Sequence, residues 1–467
     1  MRAVLAQILP ALTGAKLVND VAGEVAFNGV STDSRSVAAG SLFVALRGEV
    51  FDAHQFLAQV AEKGAAAVVV EELPEGWTLP ALVVPDTLVA LGQIANYWRR
   101  QFAMPVIAVT GSNGKTTVKE MIASILAAAH GEEGRLATRG NLNNEIGVPL
   151  TLFRMEAKQQ SAVVELGMNH PGEIARLSAI AAPTIAMVNN AQREHQEFMH
   201  TVEAVAHENG AVLASLPLDG VAVFPFGDQY SPIWQQLAGS RRVLRFGLDK
   251  GAEVRCSFRA NDFGSEMFIT VQEGAGEGAG EAQQFFVNLQ AAGVHNVLNA
   301  LAAVACTYAA GIALEQIKYG LDTFAPVSGR LQRKTASNGA LVIDDSYNAN
   351  PDSVRAAIEV LAKAAAPRVL VLGDMGEVGS LGREFHEEIS AYAQMKGIEQ
   401  VLVTGELARH MHGGVVRHFD QFGDLIAAVD AAVTPQATVL IKGSRFMKME
   451  RVVQHLIGSQ QANKETH

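Results

Sequence analysis

A glycine-rich turn that runs directly into lysine and threonine is the part of the sequence best suited to chemistry. It lies in the stretch VIAVTGSNGKTTVKEMIASIL, which begins at Val106. Gly111 and Gly114 let the backbone curl so that its N–H groups point inward, and a helix beginning near Lys115 directs the positive end of its dipole there. Lys115 can reach terminal phosphates, and the Thr116 hydroxyl can ligate Mg²⁺. This spacing predicts a cradle for the phosphates of a nucleotide.

The cradle has the short form of the phosphate-binding pattern, because Val109 stands where the longer G-x-x-x-x-G-K-[ST] pattern has its first glycine. A β-branched strand precedes the cradle, and apolar residues recur behind it at helical spacing, which supports the interpretation. A plain strand-to-helix turn is the alternative. The predicted nucleotide contacts are Gly111, Ser112, Asn113, Gly114, Lys115, Thr116 and Thr117. Such a loop indicates nucleotide binding without identifying the reaction.

Composition restricts the class of protein further. The chain has 467 residues, and at roughly 150 residues per domain this length favours about three domains. A formal net charge of −11, with no run of lysine and arginine, argues against a nucleic-acid binder. Cys256 and Cys306 show neither metal-ligand spacing nor a disulfide pattern, so we expect a reducing, cytoplasmic setting. The apolar stretch NVLNALAAVACTYAAGIAL contains asparagines, so we predict a buried helix there and no membrane insertion.

Apolar runs that alternate with helical patterns divide the chain into units predicted at residues 1–85, 86–325 and 326–467. The first has the pattern of a small α/β unit. In the second, the runs PVIAVT, SAVVELG, TIAMVNN and GVAVFPF are typical of a mostly parallel sheet with helices on both faces. EMFITVQEGAGEGAGEAQQFFVNL predicts two strands joined by a flexible tip. The third unit, with ALVIDD, RVLVLGD, QVLVTG and TVLIKGS, has a Rossmann-like pattern, and the polar tail SQQANKETH is expected to fray.

Stretches along nearly the whole chain resemble the Mur ligases. In order, they are STDSRSVAAGSLFVALRGEVFDAHQF, VTGSNGKTTVKEM, GNLNNEIGVPLTL, VVELGMNHPGEI, VNNAQREHQEF, GVHNVLNALAA, SGRL, IDDSYNANPDS, LGDMGEVG and KGSRFMKME. Any one of them is weak evidence, whereas the complete set in this order is specific. The resemblance implies an α/β protein of three domains: a small UDP-binding domain, a central P-loop domain with a parallel sheet that binds ATP, and a C-terminal Rossmann-like domain that receives the incoming amine.

The resemblance also implies a reaction. A carboxylate is joined to an amine through an acyl phosphate made from ATP, with Mg²⁺ as cofactor. The stretches are most similar to those of the family member that acts on UDP-N-acetylmuramoyl-tripeptide and D-alanyl-D-alanine, so these are the expected partners. We expect a cytoplasmic monomer that contributes to peptidoglycan synthesis.

Catalytic roles for four side chains follow from the resemblance. Lys115 and Arg330 match the cations that reach the ATP phosphates. Glu165 ends the apolar run SAVVE, so it lies at the carboxyl end of a strand near the cradle, and it matches a Mg²⁺ ligand; a surface glutamate is the alternative. His195 matches the histidine of a second metal, although a lone histidine is more often structural.

Other residues match binding positions of the family. Asn296 and Asn299 lie on one predicted helix face and match adenine contacts, with interhelical hydrogen bonding as the alternative. Asp345 ends a strand and matches a nucleotide contact. The resemblance assigns the uridine and pyrophosphate to Ser31, Asp33, Ser34, Arg35 and Arg47, and the remaining substrate groups to Asn143, Asn144, Tyr347, Asn348, Asn350, Lys442, Ser444 and Arg445. For the last three, a solvated loop is the alternative.

Two stretches depart from the family. Many Mur ligases carry a carbamylated lysine that bridges to metal, in a helix after the metal histidine. Here Asn209 occupies that place, and no lysine lies between Lys158 and Lys250. We therefore hypothesise that Glu208 supplies the missing carboxylate, with a solvent-facing Glu208 as the alternative. The expected metal ligands are Thr116, Glu165, His195 and Glu208. The second departure is VFPFGD, where the family often has an Asn-Ala-Asp type sequence, so the local nucleotide contact is in doubt.

Two other functions stay open at this point. One is another amide ligase of the same superfamily, such as an earlier Mur ligase or a folylpolyglutamate synthase. The first-domain stretches and KGSR argue against it. The other is a nucleotide-gated protein that holds ATP without ligation. Such a protein would not need the carboxylate, histidine and arginine expected around the cradle.

Overall fold

The chain folds into successive α/β units, each built on its own sheet. The computed structural model describes residues 1–20, 22–194, 196–261, 263–274 and 280–458. His195, the hairpin tip at 275–279 and the tail at 459–467 therefore lie outside the described residues. Mixed α/β structure with mostly parallel sheets confirms the predicted fold class.

The first unit holds a five-stranded sheet and a separate pair of strands. Its strands are β1 (Arg2–Val4), β2 (Lys16–Val18), β3 (Ala26–Asn28), β4 (Val30–Ser31), β5 (Leu42–Val44), β6 (Ala67–Val70) and β7 (Ala81–Val83). Its helices are α1 (Leu5–Ile8) and α2 (Leu57–Glu62), with 3₁₀ turns at Leu9–Ala11 and Ala53–Phe56. The order is β2-β7-β6-β5-β4, parallel except between β2 and β7, while β1 pairs with β3. Strands β5 and β6 are buried along their whole length, as expected for parallel strands covered on both faces.

The central unit surrounds a large sheet. Its strands are β8 (Val106–Thr110), β9 (Arg135–Ala137), β10 (Ser161–Glu165), β11 (Ile185–Val188), β12 (Val221–Pro225), β13 (Arg242–Gly247), β14 (Val254–Ala260), β15 (Ser265–Val271) and β16 (Gln283–Leu289). Its helices are α3 (Thr87–Arg99), α4 (Lys115–His130), α5 (Gly147–Leu152), α6 (Glu173–Ala181), α7 (Gln196–Met199), α8 (Val202–Ala214), α9 (Ser231–Ala238), α10 (Val294–Ala309) and α11 (Leu314–Asp322). The order is β16-β15-β14-β13-β12-β11-β8-β10-β9. The strands from β9 to β14 pair in parallel, and β15 pairs antiparallel with both β14 and β16.

Strand β8, which leads into the cradle, lies inside this sheet between β10 and β11. Its residues alternate between two cores: Val106 and Ala108 pack in the cluster that holds α3, α6 and α8, and Ile107 and Val109 pack in the cluster that holds α4 and α10. The first cluster also contains Leu5 of the first unit, so that unit packs against the central one. The strand before the cradle is therefore fixed from both faces.

Two predictions for the central unit are confirmed. EMFITV and QQFFVNL form the antiparallel pair β15 and β16. The Ala-rich stretch is the buried helix α10. Across the described ranges, no helix combines the length and the apolar character needed to cross a membrane.

The C-terminal unit has a sheet of its own. Its strands are β17 (Gln332–Thr335), β18 (Leu341–Asp345), β19 (Arg368–Gly373), β20 (Gln400–Thr404), β21 (Val416–Phe419) and β22 (Thr438–Lys442). Its helices are α12 (Pro351–Ala362), α13 (Gly382–Met395), α14 (Phe422–Ala432) and α15 (Glu450–Ile457), with 3₁₀ turns at Gly379–Leu381, Ala408–His410 and Arg445–Met447. The order is β17-β18-β22-β19-β20-β21, parallel except at β17. The predicted strands ALVIDD, RVLVLGD, QVLVTG and TVLIKGS are confirmed as β18, β19, β20 and β22.

Helices α4 and α11 approach each other closely at Gly320, and this contact yields a stability prediction. A Cβ atom at Gly320 would lie 2.4 Å from the Cα atom of Ile125. Gly320→Ala must push the helices apart, at a cost of about 1–3 kcal/mol. The melting temperature should fall by roughly 2–4 °C per kcal/mol, which calorimetry would measure.

The matched control for this prediction is Gly423→Ala in α14, where an added Cβ meets no atom within 4 Å. We expect that change to leave the melting temperature unaltered or to raise it slightly, because alanine favours a helix over glycine by up to about 1 kcal/mol. Equal melting temperatures for the two variants would contradict a tight α4–α11 contact.

Candidate active site

The predicted cradle forms at the carboxyl end of β8. The strand ends at Thr110, and α4 begins at Lys115. Gly111 and Gly114 have φ angles of 133° and 82°, in the region that favours glycine. A Cβ on Gly114 would lie 2.5 Å from side-chain atoms of Asn189 and Asn299. Both the conformation and the close approach of neighbouring side chains therefore require glycine at 114.

A segment that follows β11, residues 189–194, holds the cradle in shape; we call it the brace. The Asn189 and Asn190 side-chain amides donate to the Asn113 carbonyl at 2.7 and 3.0 Å. The Asn113 amide donates in turn to Asn190 Oδ1 at 2.8 Å. Gln192 donates through its backbone to Ser112 Oγ at 2.8 Å. None of these contacts was predicted, although polar residues directly after a buried strand were a usable signal.

Lys115 lies within the cradle. Its Nζ donates to the carbonyls of Gly111 and Ser112. The same atom lies 3.4 Å from Glu194 Oε2, and Glu194 is 6% exposed. The structure thus places a buried carboxylate beside the cradle lysine. Glu194 was not among the predicted site residues.

Glu165 ends β10 next to the cradle and is only 2% exposed. Its Oε1 accepts from Asn143 Nδ2 at 2.8 Å, and its backbone amide donates to Thr138 Oγ1 at 3.0 Å. Within the described ranges, Oε2 is buried and has no hydrogen-bond partner. A buried carboxylate oxygen without a donor suits a cation, and carboxylate and hydroxyl oxygens are the donors that Mg²⁺ prefers. Glu165 and the Thr116 hydroxyl therefore fit a magnesium ion.

The other two predicted metal ligands are His195 and Glu208. His195 lies outside the described residues, and the described part of the chain holds no group of three or more His, Cys, Asp or Glu side chains arranged to bind a metal. Glu208, in α8, accepts the backbone amides of Gly172 and Ile174 at 2.8 Å each. It thus binds the N-terminus of α6 and lies outside the cavity described below. The hypothesis that Glu208 reaches a metal stays a prediction.

Asn209, which occupies the place of the family's lysine, is fully buried. Its Oδ1 accepts from Thr110 Oγ1 at 2.7 Å. The side chain therefore joins α8 to the carboxyl end of β8.

Buried amides on α10 continue the polar network of the cradle. Asn299 Nδ2 donates to Asn296 Oδ1 at 3.0 Å, and Asn299 Oδ1 accepts from Asn189 at 2.9 Å. Asn296 donates to the Ala292 carbonyl at 2.7 Å. Burial, with a smaller effect of Lys442, lowers the pKa of the neighbouring His295 to about 4, so its imidazole is neutral at physiological pH. None of these three contacts joins two helices, because the Asn299–Asn296 bond lies within α10 and both Asn189 and Ala292 lie in loops. Both asparagines line the cavity.

The C-terminal unit reaches the cradle through Arg330 and Asn350. Arg330 Nη2 donates to Thr116 Oγ1 at 2.9 Å, and its guanidinium lies 4.3 Å from the centre of the Tyr347 ring. Asn350 donates to Asn113 Oδ1 at 2.9 Å and also caps α12. Both sheets therefore present their carboxyl-end residues to one space.

Asp345 and Lys442 form a buried pair at the ends of β18 and β22. Lys442 Nζ lies 2.6 Å from Asp345 Oδ2 and donates to the Asn348 carbonyl at 2.9 Å. Burial raises the pKa of Asp345, while Lys442 opposes that shift. In this geometry Lys442 holds the loop that carries Tyr347 and Asn348.

A cavity of about 980 Å³ brings most of the predicted residues together. The predicted residues that line it are Ser112, Asn113, Gly114, Lys115, Thr116, Thr117, Asn143, Asn144, Glu165, Asn296, Asn299, Arg330, Asp345, Tyr347, Asn348, Asn350, Lys442 and Arg445. Gly111 and Ser444 do not line it, and Ser444 is buried. Residues of the doubtful stretch VFPFGD do line it, including Phe226 and Asp228. The cavity is large enough for a nucleotide and part of a second substrate.

The residues predicted for uridine and pyrophosphate form a separate group in the first unit. Arg47 is bound to carboxylates of Asp52, Glu71 and Glu72 at 2.8–2.9 Å. An anion at Arg47 would therefore compete with three carboxylates.

The remaining members of this group lie at the end of β4 and in the turn that follows it. Arg35 pairs with Asp33 at 2.8 Å and lowers the pKa of that carboxyl to about 2. Ser31 Oγ donates to the Asp33 carbonyl, and the Ser34 carbonyl accepts from Lys63. None of the five predicted residues lines the described cavity, so their ligand stays a prediction.

Comparisons with known proteins agree with this arrangement. Residues 26–99 match "Mur ligase family, catalytic domain", residues 109–307 match "Mur ligase middle domain", and residues 329–445 match "Mur ligase, glutamate ligase domain". The UDP-N-acetylmuramoyl-tripeptide–D-alanyl-D-alanine ligase of Escherichia coli K12 is 38% identical over 439 residues, which cover 93% of this chain and 94% of the relative.

Solved structures give the same result. MurF from Acinetobacter baumannii superposes with a TM-score of 0.89 at 34% identity, over 98% of this chain and 99% of the other. MurF ligase from Thermotoga maritima in complex with ADP superposes with a TM-score of 0.83 at 25% identity, over 93% and 98%. The chain therefore belongs to the Mur ligase family of ATP-dependent peptide ligases.

Proposed function

We propose that the chain joins D-alanyl-D-alanine to UDP-N-acetylmuramoyl-tripeptide and so forms the pentapeptide precursor of peptidoglycan. The E. coli relative named for this reaction matches along nearly the whole chain, and the ADP complex of the T. maritima relative supports ATP as the nucleotide. The observation that carries the proposal is the shared cavity, in which Lys115 and Glu165 of the central unit face Arg330 and Asn350 of the C-terminal unit. Free, buried cysteines support the expected reducing, cytoplasmic setting.

The reaction has two steps. A carboxylate oxygen of the tripeptide attacks the γ-phosphorus of ATP, the bond to ADP breaks, and an acyl phosphate forms. The dipeptide amine then attacks the acyl carbon, phosphate leaves, and the nitrogen loses a proton. The first step brings two anions together, and each pair of unit charges about 4 Å apart repels by about 4 kcal/mol at an effective dielectric near 20. Catalysis therefore depends on cations and N–H donors around the phosphates.

Residues of the cavity supply these groups. The backbone amides of the cradle and the N-terminus of α4 can bind phosphate oxygens. Lys115 and Arg330 contribute positive charge from opposite units, and both are already within hydrogen-bond distance of cradle atoms. Thr116 Oγ1 and Glu165 would hold Mg²⁺, which supplies further neutralisation of phosphate charge when bound. We propose His195 as a further metal ligand and Asn296, Asn299 and Asp345 as nucleotide contacts.

The remaining assignments complete the proposal. Residues 1–85 would hold the UDP end of the substrate through Ser31, Asp33, Ser34, Arg35 and Arg47. Residues 86–325 would hold ATP, and residues 326–467 would receive the dipeptide through the Tyr347–Asn350 loop and the Lys442–Arg445 segment. Lys442 would act there by holding the loop, since its ammonium already binds Asp345 and the Asn348 carbonyl.

The first test of the proposal is an omission experiment. Phosphate release and product mass are measured with ATP, Mg²⁺, UDP-N-acetylmuramoyl-tripeptide and D-alanyl-D-alanine, leaving out each in turn. We expect release only with the complete mixture, together with a pentapeptide product. Phosphate release that does not require the dipeptide amine would favour a non-ligating nucleotide-binding protein. A ligation product formed with glutamate or a folate in place of these substrates would favour another amide ligase.

The second test concerns the cradle lysine. Lys115→Ala should lower kcat by at least about 100-fold, because a cation is lost where charge develops in the transition state. The control is Lys158→Ala, an exposed lysine paired with Glu133 on the surface, which should keep its turnover. Circular dichroism would verify that both variants fold. Ligation retained in Lys115→Ala would refute the phosphate-binding role of this loop.

The third test compares two glutamates. Glu165→Gln should raise the Mg²⁺ concentration for half-maximal turnover by at least about tenfold, because the buried oxygen then lacks its charge. Glu208→Gln should leave this concentration unchanged and cost about 1 kcal/mol of stability, because its oxygens bind the α6 N-terminus. An increased Mg²⁺ requirement in Glu208→Gln would instead establish the metal-ligand hypothesis for that residue.

A further inference from the structure

Arg193, in the brace, joins the central unit to the C-terminal unit next to the site. Its backbone amide donates to Asp352 Oδ2 at 2.9 Å, and Nη2 donates to Asp352 Oδ1 at 2.7 Å. Nη1 donates to Glu388 Oε2 at 2.7 Å. The guanidinium also lies 5.2 Å from the centre of the Phe385 ring. One side chain thus binds the first turn of α12 and the middle of α13.

The Arg193 contact is a balanced charge cluster. Arg355 of α12 donates to the other Glu388 oxygen at 2.7 Å, so two guanidinium groups share two carboxylates. All four side chains are partly shielded from solvent. Forked bonds between guanidinium and carboxylate groups fix orientation as well as distance. The contact therefore specifies how the C-terminal unit docks on the brace.

Glu194, the next residue, faces the cradle. Its carboxylate lies 3.4 Å from Lys115 Nζ inside the cavity, and its backbone amide donates to the Gln192 carbonyl at 2.9 Å. Successive Cα atoms across a trans peptide stay about 3.8 Å apart. The contact with the C-terminal unit at Arg193 therefore lies one residue from the contact with Lys115 at Glu194. The earlier part of the brace holds Ser112 and Asn113 of the same loop.

We infer that Arg193 and Glu194 are positioning residues that couple docking of the C-terminal unit to the placement of Lys115. This inference rests on the proposed ligation. Docking through Arg193 orders the brace, and the brace sets Glu194 beside the cradle lysine. The lysine then adopts its working position when the unit that receives the amine is in place.

The test uses the full-length chain with Arg193→Met, Glu194→Gln and the double variant. Each single change should lower kcat by about tenfold, since small displacements of a catalytic group have effects of this size, while KM for ATP changes less than about twofold. The double variant should be no slower than the slower single variant, because both act through one element. Arg193→Lys should recover part of the rate, because lysine keeps the charge without the fork.

The matched control is Arg355→Met, which removes a guanidinium of the same cluster but leaves the Arg193–Asp352 contact between the units. It should keep its kcat within about twofold. The inference would be overturned if the kcat losses of the single variants multiplied in the double variant. An unchanged kcat in either single variant, or an equal kcat loss in Arg355→Met, would overturn it as well.

Hydrogen exchange separates this inference from the proposed function. The amides of Ser112 and Asn113 donate to Asn190 of the brace. Arg193→Met should speed exchange in residues 111–117 by at least about fivefold, and Arg355→Met should not. Exchange unchanged by Arg193→Met overturns the coupling whether or not ligation is observed. If the wild-type protein forms no pentapeptide, the proposed function is overturned. The hydrogen-exchange result would still decide whether Arg193 is coupled to the cradle.

Discussion

A loop that binds phosphate with its own backbone amides needs partners for the peptide groups that face away from the phosphate. In this protein the Asn113 carbonyl and amide are bound by Asn189 and Asn190, which follow the neighbouring parallel strand. The side chain of Asn189 also fills the space in which a Cβ at 114 would lie. The cradle therefore exists only where β8 and β11 end side by side, and the rest of the site is arranged around that pairing.

Charged side chains at the site also hold neighbouring chain segments in place. The Lys442 ammonium neutralises the buried Asp345 carboxylate and also donates to the Asn348 carbonyl. The same charged group therefore holds the neighbouring loop in shape. Arg330 also makes two contacts, because it donates to the Thr116 hydroxyl and packs on the Tyr347 ring. Removing one member of a buried pair leaves the other uncompensated, which costs more than the pair contributes when intact. Loss of Lys442 would therefore leave Asp345 uncompensated and would release the loop that carries Asn348.

Strands buried on both faces were predictable, because their apolar runs are continuous: β8, β10, β11, β18, β19, β20 and β22 all lie where expected. Short or polar strands were not. β17 has the sequence QRKT and is a strand because it pairs with β18 at the edge of the sheet, a contact that local sequence does not record.

The sequence by itself determined the chemistry of the cradle, since glycine, lysine and threonine at that spacing between strand and helix have few other uses, and it determined the carboxylate at Glu165. Only the tertiary structure decided which partners these groups have. It joined Asn113 to Asn350 across 237 residues, bound Glu208 at a helix N-terminus and surrounded Arg47 with carboxylates. It also paired Arg193 with Asp352 of the C-terminal unit and placed Glu194 beside Lys115. The physical reason is that a polar side chain has several possible partners, and packing of distant elements selects among them.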